Sequence, residues 1–335
     1  MKRLGMMMVL LAWLCVAKAT VANEIDYKLN IAKEVAEVND ILSSKESLTI
    51  PDTLEYYGYK FAIKRINGIT SSKVKELRLP NTLRDTIRYG MLTNKYLEKV
   101  YCPPHITKMD SAFMDCTALQ EVELPNMLES ADYLFQGCKS LKTCSIPIGV
   151  RKMTYTFYNC TSLKTIILHD YIKTISAYTF GLCTSLEDLT LPGKLETIEG
   201  GFEKTAIKRL DIPNSVKKIS ANAFKNSNIE NVNIPLNLEV ENFENSNFLL
   251  SIENLKEVRI DENDNKFKLI EGSVYFQKED VAELWFSQTE GVFKLPTYKK
   301  ISVNALALKK YLSELIVPKE CEEFYLVGGN FKREL

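Results

Sequence analysis

Prolines 80, 103, 125, 147, 192, 213 and 235 recur at steps close to 22 residues, and His169 fills the one gap. A fixed period of this length is the mark of a repeat array, in which each unit is one supersecondary turn. Each proline closes the same short phrase. Leu119-Gln-Glu-Val122-Glu-Leu124-Pro125 is one instance and Leu141-Lys-Thr-Cys144-Ser-Ile146-Pro147 the next. The phrase returns at Leu186–Pro192, Ile207–Pro213 and Ile229–Pro235, in divergent form up to Asp261, and late in the chain at Leu312–Pro318.

Six positions per unit stay apolar: the first, fourth and sixth of the phrase, the third and sixth past the proline, and then a phenylalanine. The phenylalanine column reads Phe113, Phe135, Phe157, Phe180, Phe202 and Phe224. One unit alone buries too little apolar surface to offset the entropy of ordering its backbone. Stacked units add strand-to-strand hydrogen bonds and close the core from both sides, so the array must fold as a solenoid. Proline fits the end of the phrase because it lacks an N–H and stops the ladder there.

These residues resemble the BspA-type leucine-rich repeats. Met109-Asp-Ser-Ala112-Phe113-Met-Asp-Cys116-Thr-Ala-Leu119 is a full instance of the pattern, and Ile219-Ser-Ala-Asn-Ala223-Phe224 is another, with Asn226 or Ser227 where a cysteine would stand. The likeness covers about residues 46–318. It implies a leucine-rich-repeat solenoid with short parallel strands on one face and turns or short helical segments on the other. It also implies an N-terminal β-hairpin cap, with Gly58 turning Tyr56-Tyr57-Gly58-Tyr59, and an inserted β-hairpin over Asn265–Pro296. Residues 23–45 read as alternating strands of the same cap. The expected layout is a signal peptide over 1–19 with cleavage as late as 22, a β cap over 20–72, regular repeats over 73–254, and divergent repeats with a C-terminal cap over 255–335.

Lys2 and Arg3, the apolar run Leu4–Ala17 and the small residues of Ala17-Lys18-Ala19 have the character of a secretory signal. The 14 residues of that run fall short of the roughly 20 that span a bilayer. No transmembrane helix is therefore expected in the mature chain. Leu14 and Trp13 precede Cys15, where a lipoprotein site takes a small residue, so lipidation is not expected. Lys332-Arg-Glu-Leu335 is similar to an ER-retention signal, in a chain otherwise bacterial in character.

Lys plus Arg equals Asp plus Glu at 43 each, without a basic block, which argues against nucleic acid as partner. The two histidines, His105 and His169, sit at different positions of different units and suggest neither a triad nor a metal pair. No hydrolase, P-loop or dinucleotide motif is present, so no catalytic residue, metal or cofactor is expected. Asp261-Glu-Asn-Asp264-Asn265 lacks the glycine and distal glutamate of an EF-hand loop and reads as a polar turn.

Cys116, Cys138, Cys160 and Cys183 form a column of their own and read first as buried structural thiols. A disulfide is the alternative, since stacked units lie near bonding distance in an oxidising compartment. Cys102 and Cys144 fall in core columns, and Cys321 is the cysteine expected to be exposed.

Side chains alternate along a strand, so the third and fifth residues of each phrase face outward. The candidate binding surface is therefore Glu76, Arg78, Lys99, Tyr101, Glu121, Glu123, Asp188, Arg209, Asp211, Glu257 and Arg259. It is polar, of mixed sign, and carries a single aromatic. The expected function is a non-catalytic exported interaction or adhesion protein at the cell surface, in the periplasm or secreted. Its partner would be an unknown protein or cell-surface ligand. A structural or assembly component of the envelope is the alternative, and a glycan-acting hydrolase stands further off.

Overall fold

The computed structural model describes residues 19–327, apart from 70–71, 85, 88–89, 91, 241–245, 309 and 311. The expected signal segment over 1–18, Cys15 included, and Lys332–Leu335 lie outside the described residues. The chain is a leucine-rich-repeat β-solenoid built from short parallel strands, and it divides into two compact units. The first runs through Arg151 and includes Thr156–Ile166; the second comprises Lys152–Tyr155 and the chain from Ile167 onward.

In the first unit the repeats begin on a five-stranded sheet. Its strands are β1 (Ala19–Ala22), β2 (Ile25–Asn30), β3 (Val35–Ile41), β5 (Thr53–Tyr56) and β6 (Tyr59–Ile66), in the order β1-β2-β3-β6-β5, while β4 (Ser47–Thr49) joins the repeat ladder instead. Alternation sets its faces: Ile25, Tyr27 and Leu29 of β2 are buried and the residues between them are not. Tyr57 and Gly58 both take positive φ, 53° and 80°, in the two-residue turn between β5 and β6. That left-handed pair matches the twist of the strands it joins. The expected cleavage window, 19 to 22, falls inside β1, whose Ala22 pairs with Ile25.

β4 starts a parallel ladder with Glu76–Arg78, Lys99–Tyr101 and Glu121–Glu123, held in register Ser47↔Glu76↔Lys99↔Glu121. Leu77 and Val100 point into the core and are fully buried, as are Phe113, Phe135 and Phe157. Phe135 stacks between Phe113 and Phe157, with ring centroids 5.8 and 5.6 Å away.

In the second unit Arg209–Leu210, Asn231–Asn233 and Glu257–Arg259 form a parallel ladder of their own. The phrase at 186–192 forms no strand, so Asp188 is exposed but stands outside any ladder. A second parallel sheet, which the sequence reading did not foresee, joins Lys152–Met153, Thr174–Ile175, Thr197–Ile198 and Lys218–Ile219. It lies where the sixth residue past each proline turns inward, burying Met153, Ile175, Ile198 and Ile219. Phe202 lies 6.1 Å from Phe180 and 5.3 Å from Phe224, continuing the aromatic column within this unit.

Two details sharpen the expected fold. Helical content among the described residues is minimal, made up of brief 3₁₀ turns such as Phe248–Ser251 and the α-helical Ser246, so the remaining sides of the solenoid are mostly turns, bends and two-residue strands. The inserted hairpin, Ser273–Lys278 with Val281–Phe286, gains a third antiparallel strand, Phe267–Ile270, and so forms a meander. Lys300–Asn304 and Glu323–Val327 extend that sheet in parallel. Tyr275, Leu284, Ile301 and Val303 form its core.

Candidate interaction surface

On the strand face of the first unit, register brings Arg78, Tyr101 and Glu123 side by side. The guanidinium of Arg78 lies 4.2 Å from the centre of the Tyr101 ring, and the Lys99 ammonium 5.3 Å from it. The negative face of the ring attracts both cations. Lys99 also pairs with Glu121 at 2.9 Å. Hydrogen bonding between these two holds the lysine above its ordinary pKa and the glutamate below its own. Such exposed pairs contribute little to stability. They fix where the side chains stand.

On the second unit, Asp211, Asn233 and Arg259 share a column. Asn233 does not project outward, because its amide turns back on Ile212, accepting from its N–H at 2.6 Å and donating to its carbonyl at 2.8 Å. Arg259 reaches past it to bond Asp211, two repeats away, and Arg209 approaches the same carboxylate at 3.5 Å. The bond from Arg259 is the main reason that the Asp211 carboxyl lies below its ordinary range; burial opposes it and the charges of both arginines add to it. Beside this cluster, Glu230 pairs with Lys256 at 2.6 Å and Lys208 at 3.4 Å. Glu257 is exposed at the edge of its ladder; in the first unit Arg78 is exposed and Glu76, two residues before it on the same inner strand, is half-buried.

The cysteine column is internal. Cys116 donates to the Leu92 carbonyl at 3.0 Å, Cys138 to Phe113 at 3.1 Å and Cys160 to Phe135 at 3.0 Å. Cys183 is equally buried, and all four are free thiols. Burial pushes the Cys116 thiol up to about 12 and Cys138 well above its ordinary value. Residues that the sequence reading did not connect occupy the same place in neighbouring repeats. Buried Asn94 donates to the carbonyls of Ile69 and Ser72 at 2.6 and 2.8 Å, and buried Thr205 donates to Phe202 at 3.1 Å. The common property is a side chain that bonds backbone carbonyls inside the turn. Cys144 is buried, with its thiol pushed up to about 12; Cys102 and Cys321 are half-buried.

Both histidines bond backbone: His105 Nε2 lies 2.9 Å from the Leu83 carbonyl, and His169 Nδ1 accepts from the Tyr171 N–H at 3.3 Å. Asp264 accepts the N–H groups of Lys266 and Phe267 at 2.8 and 2.9 Å, which caps the first strand of the meander. Among the described residues, no group of three or more His, Cys, Asp or Glu is placed to hold a metal ion. None of their helices is long and apolar enough to cross a membrane.

A β-solenoid with this six-column unit defines a leucine-rich-repeat protein. Residues 43–155 and 153–281 match the BspA type leucine-rich repeat region, in six copies, and the chain belongs to that family. No curated protein matches the sequence. Among solved structures it is similar to a leucine-rich repeat protein from Bacteroides ovatus, with 18% identity and a TM-score of 0.60 over 91% of this chain and 90% of that one. It is also similar to a leucine rich cell surface protein from Faecalibacterium prausnitzii, with 19% identity and a TM-score of 0.45 over 92% and 72% of the two chains. A leucine-rich repeat protein from T. pallidum gives 21% identity and a TM-score of 0.37, over 64% and 85%. The Bacteroides ovatus likeness bears on the fold alone.

Proposed function

We propose that this chain is an exported, non-catalytic interaction protein that binds a protein or cell-surface ligand through its strand face. The observation that carries the reading is Arg78 stacked on Tyr101 beside the Lys99–Glu121 pair. Arginine and tyrosine are the residues around which binding energy concentrates at interfaces. Here they are held on a hydrogen-bonded ladder, so little ordering entropy is lost on binding. Adhesion to a matrix protein or another cell is the form of interaction we favour. The basic start, apolar run and small residues before Thr20 support export to the surface, periplasm or medium.

An array of immobilised matrix proteins, glycans and bacterial surfaces, probed with the chain from residue 20 onward, tests the binding. Capture by at least one class, lost in an Arg78→Ala/Tyr101→Ala variant that still folds, is the expected result. Silence across the array overturns the adhesin reading. For export, mass analysis of the protein from its native host should give a mature N-terminus between residues 20 and 23, with degradation by protease added to intact cells. A protein that keeps Met1 and stays in the cytoplasm contradicts it.

A further inference from the structure

Toward the C-terminal end of the second unit the core rows run out. Ile301 and Val303 of the strand Lys300–Asn304 are fully buried, and register sets Phe324 and Leu326 of Glu323–Val327 beside them. Those two keep 36% and 40% exposure. A neighbouring ladder shows the same loss: buried Phe293 pairs with Leu315, which is half-buried. Glu323–Val327 is the last strand of its sheet, and among the described residues no strand pairs with its outer edge. All five of its residues are exposed, and Phe324, Tyr325, Leu326 and Val327 are apolar or aromatic. A repeat array needs a polar layer over its last turn to stay single in water. Natural edge strands also carry lysine, proline or a bulge against pairing. This strand has none of the three. Its one charge, Glu323, is already held by Lys300 at 3.3 Å and by the Tyr325 hydroxyl.

Backbone direction narrows what fits there. Glu323 donates its N–H to the Lys299 carbonyl at 3.1 Å. Backbone groups alternate in direction along a strand, so those of Glu323, Tyr325 and Val327 turn toward Lys300–Asn304. The N–H and C=O groups of Phe324 and Leu326 then turn outward, symmetrically about Tyr325. Two such strands running antiparallel about a two-fold axis at Tyr325 complement each other. Phe324 of one copy faces Leu326 of the other, and each such pair exchanges two hydrogen bonds. Tyr325 meets its own counterpart, and each Glu323 lies opposite Val327, so no like charges are opposed. Aromatic and aliphatic cross-strand pairs of this kind stabilise antiparallel sheets. A two-fold interface uses the same patch on both sides, and this patch is self-complementary.

We propose that Glu323–Val327 is a homodimer interface, on which the same strand of a second copy of this chain pairs antiparallel and joins two sheets into one. The second copy supplies the layer that covers Phe324 and Leu326. Five residues and their flanks make a small interface, so the dimer is reversible and set by concentration.

Sedimentation equilibrium of the chain from residue 20 onward, over a range of concentrations, tests this. The mass should rise from one chain toward two and no further, because a two-fold pairing is closed. Leu326→Pro removes an outward N–H and no bond to Lys300–Asn304. By symmetry it takes away two of the shared hydrogen bonds, and it should weaken the dimer about ten-fold or more. Tyr325→Lys sets two cations against each other on the axis and should abolish the dimer. Both variants should keep the circular dichroism of the wild type. Tyr325→Cys should form a disulfide with its counterpart on mild oxidation, since directly opposed Cα atoms lie about 4.5 Å apart. Glu323→Cys, about 13 Å from its own counterpart, should not. A single chain at every concentration overturns the proposal, as does a dimer indifferent to Leu326→Pro and Tyr325→Lys. Growth beyond two chains, or equal cross-linking through both cysteines, overturns the two-fold pairing. If a chain ending at Val327 dimerises where the longer chain stays single, the chain's own C-terminus takes the edge and the proposal falls.

Discussion

Cys138 lies one repeat beyond Phe113 and donates its thiol hydrogen to the Phe113 carbonyl, 3.1 Å away in a fully buried site. The same relation holds between Cys160 and Phe135 at 3.0 Å. The thiol therefore does the work that the Asn94 amide does for the carbonyls of Ile69 and Ser72. Replacing Cys138 by alanine removes one of the two donors on the buried Phe113 carbonyl, which keeps the Cys116 N–H, at a cost of about 0.5–1.5 kcal/mol. Cys138→Ser keeps a donor and should lose less. Urea unfolding of the two variants checks the order, and equal losses would mean that the thiol only fills space.

Burial holds the thiols of Cys116 and Cys144 at about 12, against an ordinary value of 9.0. Below pH 9 the thiols are protonated in folded and unfolded chains alike, and their contribution is fully present. Above it the unfolded chain releases protons that the folded chain keeps, so stability falls as pH rises and the contribution is lost by about pH 12. Unfolding free energy should be lower at pH 10 than at pH 8, and a Cys144→Val variant should show a shallower fall. An equal fall in both would place its cause elsewhere.

Phe135 touches its counterparts in the repeats before and after it. Phe135→Ala opens a cavity between two rings that cannot close on each other, and should cost about 3–5 kcal/mol. Phe135→Leu, which refills part of the space, should recover much of that. Thermal unfolding monitored by circular dichroism distinguishes them.

Gly149 tests the stacking of successive turns. A Cβ there would sit 2.4 Å from the Leu128 carbonyl oxygen, a backbone atom that moves only with its repeat. Gly149→Ala should therefore destabilise by about 1–3 kcal/mol through overpacking. Gly58→Ala meets no atom within 4 Å, and its loss comes from the positive φ of 80° alone. It should be the milder of the two in the same measurement.

The solenoid and its internal columns were legible because side chains such as Phe113, Phe135 and Phe157 repeat in chemistry as well as in place. The polar column was legible only where it was cysteine. Asn94 and Thr205 share a bonding role with Cys116 but no residue type, so periodicity passed them over. The second sheet escaped for another reason. Its strands, such as Thr174–Ile175 and Thr197–Ile198, are two residues long and exist only once repeats are stacked. On the outer face, alternation sets Arg78 and Tyr101 opposite the buried Leu77 and Val100. Their stacking depends on a register between residues 23 positions apart, and the folding back of Asn233 onto Ile212 has no signature in the sequence.

The claim at the centre of this account is that binding runs through the strand face. The most direct test compares two folded variants on whichever array surface captures the wild type: Arg78→Ala/Tyr101→Ala on the strand face, and Met127→Glu/Ile148→Glu at exposed positions after Pro125 and Pro147. Loss of capture in the first, with capture retained in the second, is the predicted result. Capture retained in the first and lost in the second would contradict it and move the interaction surface to the turns.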